Sequence, residues 1–121
     1  MNVIKVQERK EAVIHLHPMK KIEIIVVGEQ EEFVASMLDK ASVSGFTLIR
    51  NICGKGHHGF HEGRLRFNEK SSLVLFIAVA SEEVISTIAL GMKTLFQNES
   101  GVLFVSDVSV ARLDYFNATS P

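Results

Sequence analysis

Two strand–helix–strand patterns follow one another along the chain, and a long glycine-rich segment separates them. β-Branched apolar runs bounded by glycine or serine predict strands, and apolar residues at helical spacing predict helices. The predicted elements are, in order, a strand at Lys21–Gly28, a helix at Glu29–Ser44, strands at Phe46–Ile52 and Ser72–Ala80, a helix at Ser81–Gln97 and a strand at Gly101–Val110. This order predicts an α+β, ferredoxin-like βαβ-βαβ fold, with a four-stranded antiparallel sheet and two helices on one face.

Single residues predict where some of these helices and strands begin and end. Ser81 is a favourable N-cap for the second helix, and Gly45 predicts the C-terminal cap of the first. Gly91, inside the second helix, predicts a close approach of that helix to the sheet. The residues Ala111–Phe116 are expected to continue the last strand or to form a small fifth one.

Length and composition indicate one domain with a sizeable core. The chain has 121 residues, of which 46% are hydrophobic, and such a composition is not that of a disordered segment. We divide it into an N-terminal extension (1–19), a ferredoxin-like domain (20–116) and a short C-terminal tail (117–121). The net charge of −1 argues against a surface that binds nucleic acid.

No apolar run approaches the roughly 20 residues of a membrane-spanning helix, and the charged N-terminus does not resemble a signal peptide. The single cysteine, Cys53, excludes an intramolecular disulfide and is consistent with a reducing compartment. We therefore expect a cytoplasmic protein without membrane insertion.

The strands are more apolar than one layer of helices can explain. Ile22–Val27 and Leu73–Val79 are almost continuously apolar, which is typical of strands covered on both faces. Because the two helices cover only one face, another subunit is expected to cover the other, and we predict a homo-oligomer.

The segment Asn51–Ser72 is too long for a tight turn, and loops of this length inside a compact domain are usually functional or disordered. Near its start lies Gly54-Lys55-Gly56, where backbone amides and a mobile cation suit a phosphate, although on spacing alone a flexible turn with a solvated lysine is the simpler explanation. The spacing is not that of a Walker A motif. The segment has more positive than negative charges, which favours an anionic ligand or an acidic partner. The four cations are Lys55, Arg64, Arg66 and Lys70, and the two anions are Glu62 and Glu69.

Cys53, His57 and His61 are soft or borderline ligands and could form a zinc or copper site, but their spacing does not match structural zinc motifs. The alternative is that these histidines are solvent-exposed and tune the loop charge. His15 and His17 alternate on one strand face and are a second, weaker chelate candidate. Catalytic motifs are absent from the sequence, so we expect no enzymatic activity.

The string SGFTLIRNICGKGHHGFHEGRL, together with QNESGVLFVSDVSVAR and the order of elements, resembles the PII signal-transduction family, and in particular its PII-like branch linked to inorganic-carbon transport. The matching motifs are Gly45-Phe46-Thr47, Gly54-Lys55-Gly56, and Gly101 followed by a hydrophobic strand and Arg112. The likeness covers roughly residues 20–116 and leaves the N-terminal extension unmatched.

The resemblance implies a homotrimer that binds adenine nucleotides in clefts between subunits. By position, Gly54, Lys55 and Gly56 would meet the phosphates, Thr47 and the backbone at Gly101–Val102 would line the adenine and ribose pocket, and Arg112 would reach the phosphate from the adjacent subunit. The glycine-rich phosphate loop of nitrogen-regulatory members is reduced here to Asn98-Glu99-Ser100-Gly101. AMP, ADP or cyclic AMP is therefore easier to accommodate than ATP, which is a further candidate.

The family's long loop, the T-loop, docks on a membrane transporter or a metabolic enzyme. In this chain the docking residues would be His57, His58, Phe60, His61, Arg64 and Arg66. The uridylylated tyrosine of nitrogen-regulatory members is missing from the loop, since Tyr115 is the only tyrosine. The alternative function, from the residues alone, is a trimeric metal-binding accessory module that uses Cys53 and the loop histidines.

Overall fold

A computed structural model describes residues 2–5, 13–56, 59–60 and 72–116. The elements in chain order are β1 (Asn2–Lys5), β2 (Val13–Val27), a 3-10 turn (Gly28–Gln30), α1 (Glu31–Lys40), β3 (Thr47–Ile52), β4 (Lys55–Gly56), β5 (Gly59–Phe60), β6 (Leu73–Ala80), α2 (Glu82–Asn98), β7 (Gly101–Val110) and α3 (Leu113–Phe116). No helix among these residues is long and apolar enough to cross a membrane.

The sheet has the strand order that the split βαβ pattern requires. β2 lies between β6 and β7, β3 pairs with the far side of β6, and all these pairs are antiparallel. The α+β ferredoxin-like prediction is therefore confirmed. The two-stranded pair β4–β5 is separate from this sheet.

The core lies between the sheet and the two long helices. The even-numbered residues of β2 from Ile22 to Val26 and of β6 from Val74 to Ala80 are buried in one cluster with Val34 and Leu38 of α1 and Ile88 of α2. Because alternate residues of a strand share a face, the odd-numbered residues lie on the opposite side of the sheet. The helices thus cover one face, which we call the helix face, and leave the other as the open face.

The first helix ends earlier than predicted. α1 stops at Lys40, and Ser42 takes the left-handed conformation, with φ of 70°, that the sequence analysis assigned to Gly45. The prediction for Gly45 is therefore wrong. Serine pays a steric cost at this angle that glycine would not, so sequence preference favours the wrong residue.

Gly91 allows a close approach, but of a different kind from the one predicted. A Cβ atom at Gly91 would lie 2.6 Å from Sδ of Met37, a residue of α1. The contact is between the two helices and not between a helix and the sheet. The second helix is otherwise as predicted, and the Ser81 side chain accepts a hydrogen bond from the Val84 amide at 3.3 Å.

The start of the first long strand and the residues after the last strand differ from the prediction. β2 begins at Val13, well before Lys21, and its first residues pair with β1 as an N-terminal hairpin, Asn2–Lys5 with Val13–Leu16. After β7, residues Leu113–Phe116 form a short helix and neither continue the strand nor form a fifth one.

Candidate functional site

The long loop leaves the sheet through a distortion in β3. Asn51 has a left-handed φ of 61°, and the pairing of β3 with β6 shifts register between Ile49 and Ile52. Such a bulge bends the strand and changes the direction in which the following residues point. The distortion therefore sets the direction of Cys53 and Gly54, and sequence analysis missed it, although asparagine is enriched at such angles.

An ion pair holds Arg50, which lies inside this bulge next to Asn51. Arg50 donates two hydrogen bonds to the Glu31 carboxylate, from Nε to Oε1 at 3.0 Å and from Nη2 to Oε2 at 2.6 Å. These bonds lower the pKa of Glu31, and the same bonds raise the pKa of Arg50. A two-pronged pair of this kind holds its partners in one geometry, so the base of the loop is tied to the first turn of α1.

Beyond the bulge, two short strands pair with each other. Lys55 pairs with Phe60 and Gly56 with Gly59, so two residues of the predicted Gly-Lys-Gly motif lie in this strand pair. Gly54 lies next to Leu73, where β6 begins. The predicted loop residues His57, His58, His61, Arg64 and Arg66 lie outside the described residues.

The start of β7 is held against β2 by close packing. A Cβ atom at Gly101 would lie 2.6 Å from the Phe96 ring and 2.9 Å from the Ile25 carbonyl oxygen. Glycine is therefore required here for packing, which brings the end of α2 and the start of β7 next to the sheet. Val102 follows on the open face, opposite Ile25, and its side chain is exposed.

Gly54 and Gly101 lie at one end of the sheet. Val26 pairs with Gly101, Val27 pairs with Leu73, and Leu73 pairs with the last residue of β3. With ~4.8 Å between neighbouring strands, the two edge strands β3 and β7 are about 14 Å apart. Thr47 is exposed on the open face, some rows away from this end, opposite Ile77.

Arg112 lies at the other end of the sheet. It follows Val110, which pairs with His17, whereas Gly101 pairs with Val26. At ~3.4 Å per residue, the distance along β2 between these rows is about 30 Å. Within one chain the structure therefore does not bring Arg112 together with Gly54 and Gly101.

The guanidinium of Arg112 lies 5.5 Å from the centre of the Tyr115 ring, in the geometry of a cation–π contact. Asp107, near the end of the same strand, accepts a hydrogen bond from Lys20 across the β2–β7 pair. This bond, with the attraction between the two charges, raises the pKa of Lys20. An open cavity of about 760 Å³ lies here, lined in part by Lys20, Asp107 and Leu113.

The structure does not test the alternative metal site of Cys53, His57 and His61, because both histidines lie outside the described residues. Cys53 is exposed, and no group of three or more His, Cys, Asp or Glu side chains among these residues could hold a metal ion. His15 and His17 share a face of β2, as predicted, but no third ligand joins them within the described part of the chain.

The open face of the sheet is largely apolar, in agreement with the sequence analysis, although it also carries an ion pair between Lys21 and Glu23. Ile49 of β3 and Val102 and Phe104 of β7 lie on it with 42%, 46% and 54% of their surface exposed. Between them are Ile25 and Leu75, which are only partly buried although they lie on central strands. A face of this composition is typical of a surface that another protein chain covers.

Comparison with known proteins agrees with this architecture. The family model of the nitrogen regulatory protein P-II matches residues 19–115. CPII, a nitrogen regulatory PII-like protein from Thiomonas intermedia K12 bound to ADP, AMP and bicarbonate, is 43% identical, with a TM-score of 0.80 over 86% of this chain and 98% of that one. A second CPII structure, bound to ADP and bicarbonate, has 40% identity and a TM-score of 0.77 over 86% of this chain and 99% of that one.

A PII-like protein from Thermus thermophilus shares the fold, with a TM-score of 0.71 at 18% identity over 85% of this chain and 99% of that one. No sequence among the curated proteins matches the chain. The fold and the matched motifs define a PII-like protein. The chain belongs to the nitrogen regulatory protein P-II family.

Proposed function

We propose that this chain is a non-enzymatic regulatory protein that binds an adenine nucleotide in clefts between the subunits of a homotrimer. The ligand is AMP, ADP or a cyclic nucleotide, bound by the ferredoxin-like domain of residues 20–116. Gly54, Lys55 and Gly56 contact the phosphates, while Thr47, Gly101 and Val102 line the pocket for the adenine and ribose.

The observation that carries this proposal is the separation of the site residues within one chain. Gly54 and Gly101 lie at one end of the sheet and Arg112 at the other, about 30 Å away along β2. No single nucleotide bridges that distance, so a site that uses all three must draw Arg112 from a neighbouring subunit. The apolar open face supplies a surface on which such a neighbour can pack.

The chemistry of the two ends supports an anionic ligand. Backbone amides of a glycine-rich turn and the cation of Lys55 suit phosphate oxygens, and an arginine can bind a phosphate through two parallel hydrogen bonds. CPII, at 43% identity, has been solved with ADP, AMP and bicarbonate. We therefore include bicarbonate, or a similar small anion, as a second ligand.

The loop between β3 and β6 is the segment through which the protein would act on a partner. Its first residues are joined to α1 through Arg50 and Glu31, so a ligand at Gly54–Gly56 sits beside a fixed anchor. Nucleotide binding would select one arrangement of the residues that follow, and that arrangement would bind a transporter or a metabolic enzyme.

Calorimetric titration with AMP, ADP, ATP and cyclic AMP tests the proposal. We expect saturable binding near one nucleotide per subunit, and a Lys55→Ala variant that binds at least about tenfold more weakly while it remains trimeric. Lys93→Ala is the matched control, because Lys93 is an exposed lysine on α2, away from the loop. Absence of binding by the unmodified protein would refute the proposal, and equal affinity of both variants would remove Lys55 from the site.

A further inference from the structure

The N-terminal hairpin lies outside the residues that match the family model. The family match begins at residue 19, and CPII is covered over 98% of its length while 86% of this chain is covered. The hairpin consists of β1 and the first four residues of β2, Val13–Leu16. Its purpose is therefore not explained by the nucleotide-binding domain that the relatives share.

The hairpin presents apolar side chains on both of its sides. Val3 and Ile4 are each 54% exposed, and Val13 and Ile14 are 44% and 42% exposed. A two-stranded hairpin is only marginally stable in water without a surface to pack on. Exposed apolar residues on such a hairpin indicate that it lies against another surface.

The position of the hairpin identifies that surface. β2 continues without interruption from the row where β7 ends, His17 with Val110, into the rows where it pairs with β1. The hairpin therefore extends the sheet at the end that carries Arg112. In the proposed trimer this is the end that meets a neighbouring subunit, so the hairpin meets the same neighbour.

The register of the strands selects one side of the hairpin. Val13 is an odd-numbered residue of β2, like Ile25 on the open face, and Val3 pairs with the odd-numbered His15. Val3 and Val13 thus continue the open face past the end of β7. Ile4 and Ile14 pair with each other and continue the helix face.

We propose that the valine side of the N-terminal hairpin packs on a second copy of this chain and enlarges the subunit interface next to Arg112. This inference rests on the proposed function, because it takes from it the intersubunit cleft. The hairpin thereby strengthens the contact between subunits, and the side that carries Ile4 and Ile14 stays outside this contact.

Two double variants of the full chain test the proposal, with equal exposure on the two sides of the hairpin. Val3→Thr with Val13→Thr removes apolar surface from the valine side, and Ile4→Thr with Ile14→Thr does the same on the other. Threonine keeps the β-branched shape that favours strands, so both variants retain the preference for the hairpin. The measurement is sedimentation velocity over a dilution series.

We expect the valine variant to dissociate at a protein concentration on the order of tenfold higher than the unmodified chain, and the isoleucine variant within about twofold of it. Two variants that behave alike, or a valine variant that dissociates like the unmodified chain, would overturn the role of the hairpin. Nucleotide titration of the assembled valine variant separates the two proposals, because normal binding there leaves the cleft intact. An unmodified chain that is monomeric throughout would overturn both.

Discussion

Mixing two variants that each bind the nucleotide weakly tests whether each nucleotide site is shared between subunits. Lys55→Ala removes a cation at the loop base, and Arg112→Ala removes one at the opposite end of the sheet, about 30 Å away along β2. If the two side chains act from different subunits, each variant alone loses tight binding. A mixed trimer, however, contains some sites with one intact Lys55 and, on the neighbour, one intact Arg112.

The size of the recovery follows from the symmetry of the assembly. When equal amounts of the two variants assemble at random, half of the subunits carry Lys55, and half of their neighbours carry Arg112. Because these choices are independent in a closed ring, about one quarter of all sites regain both side chains. Calorimetric titration with ADP should therefore show a tight component with a stoichiometry of about one quarter of that of the unmodified protein.

The control is a mixture of differently tagged copies of the same variant, which assembles equally well but restores no site. Native mass spectrometry of both samples shows whether mixed trimers have formed. Mixed trimers without a tight component would refute the reasoning, because Lys55 and Arg112 would then act within one subunit or not on the same ligand.

Three further predictions concern stability, measured by denaturant unfolding. Gly101→Ala should lower the free energy of unfolding by about 1–3 kcal/mol, because its Cβ would overlap the Phe96 ring and the Ile25 carbonyl oxygen. Gly45→Ala should change the free energy of unfolding little, because the atom nearest to its Cβ would be 3.8 Å away. Ser81→Ala should cost about 1 kcal/mol through loss of the N-cap, and Ser86→Ala on the exposed face of the same helix much less. Glu31→Gln should destabilise at neutral pH but progressively less in acid, because a carboxylate whose pKa is lowered stabilises the fold above its ordinary pKa and loses that effect as pH falls through the lowered value.

Each of these predictions has an outcome that contradicts it. Equal effects of the two glycine variants would mean that the start of β7 shifts away from α2 without cost. Equal effects of the two serine variants would remove the capping role of Ser81. A Glu31→Gln effect that persists unchanged in strong acid would show that its hydrogen bonds to Arg50 do not depend on charge.

The arrangement of the two βαβ halves was predictable because apolar periodicity reflects burial directly. Val34 and Leu38 of α1 recur at helical spacing, and both are fully buried against the sheet. Ser81 was also predictable, because its hydroxyl acts only on the backbone that follows it. Such signals are local, and tertiary structure did not override them.

The features that sequence analysis missed depend on pairing between distant segments. The sequence analysis began the first strand at Lys21, after Pro18. In the structure Pro18 lies within β2 and pairs with Ser109 of β7 beyond the last residue of β6, Ala80, so β2 is paired on one side only there and tolerates the missing amide. Gly91 is explained by Met37 on another helix, which its own neighbours in sequence do not reveal. The distance between Gly54 and Arg112 likewise depends on the direction and register of the paired strands, which place the end of β3 and the end of β7 at opposite ends of the sheet.

That distance has a consequence for how the protein would read its ligand in a cell. A site shared by two chains exists only in the assembled state, so nucleotide binding and assembly must stabilise each other by mass action. At a low protein concentration the chain would bind little nucleotide, at the same nucleotide concentration that it binds well when the protein is abundant. The abundance of the chain would then be a second input, and the response would depend on gene expression as well as on metabolism.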